Sequence, residues 1–107
     1  LEAKVIIGVY NTKTFTNKMK RFGKLYLKFA QSAEIESIAA TIQNMLLMAE
    51  SLGVGTAWLD TPLIFESKIN KIFNEKSGLT AILTLGYPKE KIQRAPRKPL
   101  RDFVKFI

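Results

Sequence analysis

The groups that could carry chemistry in this sequence are few. No cysteine and no histidine occur among its 107 residues, which excludes disulfides, thiolate nucleophiles, zinc sites of the usual kinds and imidazole acid–base catalysis. The carboxylates add little. Glu34 with Glu36, and Glu50 with Asp60, have no spacing that brings two carboxyls together, and solvated surface is the default for each. Gly53-Val54-Gly55 would cradle a phosphate as part of Gly-x-Gly-x-x-Gly between a strand and a following helix. Here the order is helix then strand and the third glycine is absent, so these glycines read as a helix stop and a tight entry to a strand. What remains is basic: Arg94 and Arg97, held by Pro96 and Pro99, are guanidinium groups on a stiffened backbone that loses little entropy when it clamps an anion such as phosphate. Any further chemistry must be borrowed from a cofactor or be absent.

The net charge of +8 is unevenly spread. Lys13, Lys18, Lys20, Arg21, Lys24 and Lys28 fall between Glu2 and Glu34 with no acidic residue among them. A second group, Lys89, Lys91, Arg94, Arg97, Lys98, Arg101 and Lys105, is offset only by Glu90 and Asp102. Such fields attract nucleic acid, phosphate-bearing cofactors or anionic membranes, with a solvated, solubilising face as the plainer reading. Phe22, Tyr26 and Phe29 recur at core-like helical spacing and do not alternate with lysines on a strand, so no single-strand stacking pattern accompanies the charge. No apolar run approaches the roughly 18 residues that span a bilayer, and there is no signal peptide pattern. A cytoplasmic protein without membrane attachment is expected.

These residues must be positioned by one domain, because a chain of this length buries too little surface for two cores. Its 47% apolar content places it among folded chains. The run Ala3 to Tyr10 is short, β-branched and nearly continuous, the pattern of a strand buried on both faces. From Asn17 to Ala30 the spacing of Met19, Phe22, Leu25, Tyr26 and Phe29 allows a helix, with Gly23 as its weak point. The clearest element is a helix from about Ala33 to Leu52, with Ser32 as its cap and Gly53 as its stop. Between Ile42 and Ala49 it is apolar almost all round, which suits the middle of a core or of an oligomer interface. Within it, Gln43 and Asn44 either lie on the least buried side or bond to a neighbouring chain or loop; the second reading is favoured.

"TAWL" then reads as a short strand, with Trp58 as a core residue. Thr61-Pro62 opens a helix to about Phe73, Thr61 capping it and Pro62 in the first turn. Leu79 to Tyr87 is another buried strand, and "PLRDFVKFI" closes the chain as an extended arm or edge strand. Strands alternating with helices argue an α/β or α+β layer arrangement.

Taken in order, "AATIQNMLLMAESLGVGTAWL" at Ala39 to Leu59, "ILTLGYPKE" at Ile82 to Glu90 and "PRKPLRDFV" at Pro96 to Val104 resemble the C-terminal half of the FMN-dependent nitroreductase family. The resemblance covers Val5 to Val104, and its two motifs together are specific. It implies an α+β fold, a partial nitroreductase-like three-layer α/β sandwich with a mixed sheet and a central helix. Residues 1–107 would be the C-terminal portion of a single domain. It also implies an obligate homodimer through the Ala33 to Leu52 helix. FMN would lie beside the backbone of Asp60, Thr61, Pro62 and Leu63, and its phosphate on Arg97, assisted by Arg94. NAD(P)H would be the co-substrate, passing hydride to the flavin in a ping-pong cycle, and a small nitroaromatic or quinone-like acceptor would take it up.

The family's Arg-rich R-x-S-x-R motif for FMN has no match in Leu1 to Tyr10, and family members are longer. Leu1 in place of Met leads to the expectation that residues precede it. The reading from a different class is a non-catalytic basic α/β module that binds an anionic partner such as nucleic acid.

Overall fold

The computed structural model describes residues 3–76, 78–90 and 93–107, so Lys91 of the C-terminal basic group lies outside the described residues. The chain runs β1 (Val5–Tyr10), α1 (Thr14–Met19), a 3-10 turn (Lys20–Phe22), α2 (Lys24–Ser51) and β2 (Gly55–Leu59). A second 3-10 turn (Thr61–Phe65), α3 (Glu66–Phe73), β3 (Leu79–Gly86) and a last 3-10 turn (Leu100–Asp102) complete it. Helices and strands are mixed without a regular βαβ repeat, an α+β fold.

The central helix is longer than its periodicity predicts. It begins at Lys24, not near Ala33, and Ser32 lies in its interior and does not cap it. The physical reason is composition: no glycine or proline occurs between Lys24 and Ser51, and good helix formers such as Ala, Leu, Lys and Gln carry it through. The break falls one residue earlier, at Gly23, whose φ of 101° suits a residue without Cβ. At about 1.5 Å per residue, these 28 residues make a rod roughly 42 Å long.

The sheet order is β1-β3-β2, and both pairings are antiparallel. The expected mixed sheet is therefore not what the described residues form: β3 runs against both neighbours, and no parallel pair is created. Ile7 lies opposite Leu83 in one pairing and Trp58 opposite Leu83 in the other. Being central, β3 is buried almost throughout, with Ala81 and Leu83 closing over Ile42 of α2 to make the core. Ile7, Val9, Ile38, Leu46 and Leu85 pack around them. β1 is an edge strand with one neighbour, so Val5 and Ile6 are exposed and the expectation of burial on both faces fails there.

Alternation along β1 turns Tyr10 away from that core, and its ring meets Phe73 of α3 edge-on at 6.2 Å. Gly8, on the same face, makes room, since a Cβ there would press on the Tyr10 ring and touch that of Phe73. Helix, sheet and helix thus stack in three layers. α3 ends at Asn74 in the left-handed conformation, and Glu66 binds the turn after it, accepting from Gly78 N at 3.0 Å and Leu79 N at 3.1 Å. Beyond Gly86 the described tail contains no strand, only the single turn Leu100–Asp102.

Candidate functional site

Where β2 ends, Trp58 and the turn after it face α2. The indole Nε1 donates to Asp60 Oδ1 at 2.7 Å, and Leu63 N donates to Asp60 O at 2.9 Å. Asp60 therefore opens the 3-10 turn and Pro62 sits in its first positions, where its missing N–H leaves no donor unmet. Thr61 does not cap an α-helix as expected: it is the first residue of the 3-10 turn, and α3 starts only at Glu66.

Asp60 and Leu63 line a groove of about 390 Å³ with Trp58, with Ile35, Ala39 and Ile42 from α2, and with Leu79 and Thr80 from β3. Its walls are mostly apolar, and its volume lies within the range of small-molecule sites, about 300–1,000 Å³. Thr61 is exposed and Pro62 half-buried at its rim. The α2 residues were legible only as core spacing; that they leave a gap beside the turn follows from the sheet, not from periodicity. Arg94 and Arg97 are elsewhere. Both are exposed in the tail, line no part of that groove, and make no hydrogen bond or ion pair among the described residues.

Gln43 and Asn44 are exposed on α2, and neither side chain bonds to a neighbouring loop among the described residues. Beside them lies a second groove, about 480 Å³, lined by Thr41, Asn44, Met45, Met48, Ala49, Leu52, Val54 and Leu85 and almost wholly apolar. Leu47, Met48 and Leu52 are at least 60% exposed. This is the surface that the sequence marks as apolar all round.

One functional contact escaped the sequence. Glu34, assigned to solvated surface with Glu36, is half-buried and accepts from Thr16 N at 2.9 Å, Thr16 Oγ1 at 2.7 Å and Asn11 Nδ2 at 3.2 Å. Burial pushes its carboxyl up, but the bonds from the Thr16 hydroxyl, the Thr16 amide and Asn11 outweigh that and hold it below the ordinary value. The available signal was its isolation, as the first acid after seven cations.

Among the described residues no group of three or more acidic side chains could hold a metal, and no helix is long and apolar enough to cross a membrane. A crystal structure of a nitroreductase family protein from Streptococcus pneumoniae TIGR4 matches with a TM-score of 0.73 at 15% identity, over 97% of this chain and 64% of that one. A Bacillus subtilis (strain 168) relative, carrying the name NAD(P)H nitroreductase YfhC, is 27% identical over 75 residues. That match takes in 68% of this chain and 39% of YfhC, so the chain spans about two fifths of that relative's length. The nitroreductase family profile matches residues 2–87, four-fifths of the sequence and every strand of the sheet. The three-layer fold, the helix with its Gln-Asn and Gly-x-Gly sequence, and this match agree: the chain belongs to the nitroreductase family.

Proposed function

We propose that residues 1–107 are the C-terminal portion of a single nitroreductase-like domain. The whole protein is then a cytoplasmic, homodimeric, FMN-dependent NAD(P)H oxidoreductase acting on a nitroaromatic or quinone-like acceptor. The observation that carries this reading is the apolar groove bounded by α2, Trp58 and the Asp60 to Leu63 turn, in a chain of this family. The name of YfhC supports NAD(P)H as the donor.

The groove suits the ring system of a flavin: apolar side chains on two walls, and a turn locked by the Trp58 to Asp60 hydrogen bond on the third. FMN would supply the two-electron hydride transfer that no side chain of this chain can perform. The chain's own part is to bind and orient. Ile35, Ala39 and Leu63 exclude water from one side of the ring, while Asp60, Thr61 and Pro62 offer backbone groups at its edge. Arg97, with Arg94, would hold the phosphate; neither has an ion pair to break first among the described residues. The outer face of α2 around Met45 would meet the second copy.

The test is a visible absorption spectrum of the purified natural-length protein, with mass identification of whatever denaturation releases. Flavin bands and released FMN are expected. A colourless protein that takes up no added FMN would sink the reading and leave the basic module, to be tested by nucleic-acid binding against salt.

A further inference from the structure

The segment Thr14–Phe22 is held to the body of the protein in an unusual way. Its first residue follows Lys13, which has a left-handed backbone (φ 55°) and offers no side-chain cap to α1. Its far end is Gly23, with φ 101° and open space where a Cβ would go, so the glycine serves the backbone alone. Between these two bends only Thr16 is buried. The amide of Thr16 is one of the orphan donors of the first helical turn, and the acceptor it finds is a carboxylate on another helix, Glu34 of α2. The same carboxylate takes the Thr16 hydroxyl and the Asn11 amide. One side chain thus caps α1, fastens it and, among the described residues, is the one acid lining the two spaces that Lys13, Lys18 and Lys20 also line.

A groove of about 380 Å³ beneath this flap is lined by Thr16, Lys20, Glu34 and Ile35. Ile35 is also a wall of the groove at Trp58 and Leu63. Ile35 is thus the wall that the space at the flap shares with the candidate site.

We propose that Glu34 is a positioning residue: its carboxylate clamps the Thr14–Phe22 flap onto α2 and so fixes the shape of the approach past Ile35. The clamp stands on its own geometry, whereas its effect on turnover rests on the oxidoreductase reading.

The experiment compares Glu34→Ala and Glu34→Gln in the natural-length protein. Amide hydrogen exchange is measured first. Glu34→Ala is expected to speed exchange at Thr16 and Asn17 at least tenfold and to leave Leu83 within twofold, with Glu34→Gln, which keeps one acceptor oxygen, in between. Unchanged flap exchange overturns the proposal. Faster exchange at Leu83 as well would make Glu34 a general stability residue and also overturns it. If Glu34→Ala does not fold, Thr16→Val removes the hydroxyl bond alone and answers the same question. Steady-state kinetics with 1,4-benzoquinone follow. An acceptor KM altered at least fivefold, with kcat and FMN content within twofold, supports the positioning role. A loosened flap with both constants unchanged overturns that role. Absence of FMN from the unmodified protein would defeat the oxidoreductase reading while leaving exchange to judge the clamp.

Discussion

Single side chains set two measurable quantities here. Arg97, exposed and without an ion pair among the described residues, is proposed to hold the FMN phosphate. Its replacement by Ala is expected to weaken FMN binding by about 1.5–3 kcal/mol, the usual worth of a charge-assisted hydrogen bond. Fluorescence titration of the natural-length protein measures this, and an unaltered Kd would take Arg97 out of the site. Glu34 governs an acid response. Its carboxyl is held below the ordinary value by Thr16 and Asn11 despite burial, so its contribution to the flap is complete above the unfolded value, about 4.3. That contribution is lost as pH falls through the depressed folded value. Protection of the Thr16 amide, corrected for intrinsic exchange, is expected to stay level from pH 8 to about 5 and to fall only at lower pH. A loss of protection near neutrality would contradict the assignment.

At the scale of elements, turns and helix ends carry the constraints. Gly78 has φ 86°, and a Cβ there would run into the backbone oxygen of Asn11, whose N donates to Gly78 O at 2.7 Å and holds the two backbones together. Gly78→Ala is expected to destabilise the protein by at least about 1–3 kcal/mol, the cost of one strained backbone conformation, read as a shift in the urea midpoint. A midpoint within error of the unmodified protein would show that the loop relaxes freely. Much of this level was legible. Leu79 to Tyr87 reads as a buried strand because it is central and therefore apolar on both faces. The stop at Gly53 follows from its freedom at positive φ. What sequence could not show is that one helix runs on unbroken from Gly23: Ser32 looks like a cap only until the chain is seen to continue from Lys24. Nor could it show Glu34, because the partners Thr16 and Asn11 lie 18 and 23 residues away and a lone carboxylate carries no period. The groove residues Asp60 and Leu63 came from family motifs, whereas Ile35 and Ala39 were visible only as helical spacing.

The molecule as a whole is extended. Its radius of gyration is 17.3 Å, against about 13 Å for a compact chain of this length. It measures 50 by 49 by 24 Å, a plate. Its accessible surface of 9243 Å² exceeds the roughly 6,000 Å² of a compact protein of this mass by on the order of 3,000 Å², as much as a large permanent interface covers. The apolar groove along Met45, Met48 and Leu52 is part of that excess. On the proposal that a second copy covers it, Met45→Asp is expected to abolish the dimer, because an unpaired charge would enter an apolar interface. Sedimentation velocity decides: a variant that still migrates as the normal dimer would assign this face to another occupant.

The strand order has a consequence for biosynthesis. β1 and β2 do not bond to each other; both bond only to β3, which lies last in sequence. During translation, which proceeds from the N-terminus at about 5–20 residues per second, Val5 to Tyr10 therefore leaves the ribosome with its backbone donors unmatched. It waits for some seventy further residues, until Leu79 to Gly86 emerges. For that interval β1 and β2 lack the strand that joins them in this sheet, and apolar edges of this kind are the ones that pair wrongly. A ribosome stalled ahead of Leu79 would hold β1 and β2 without the strand that joins them.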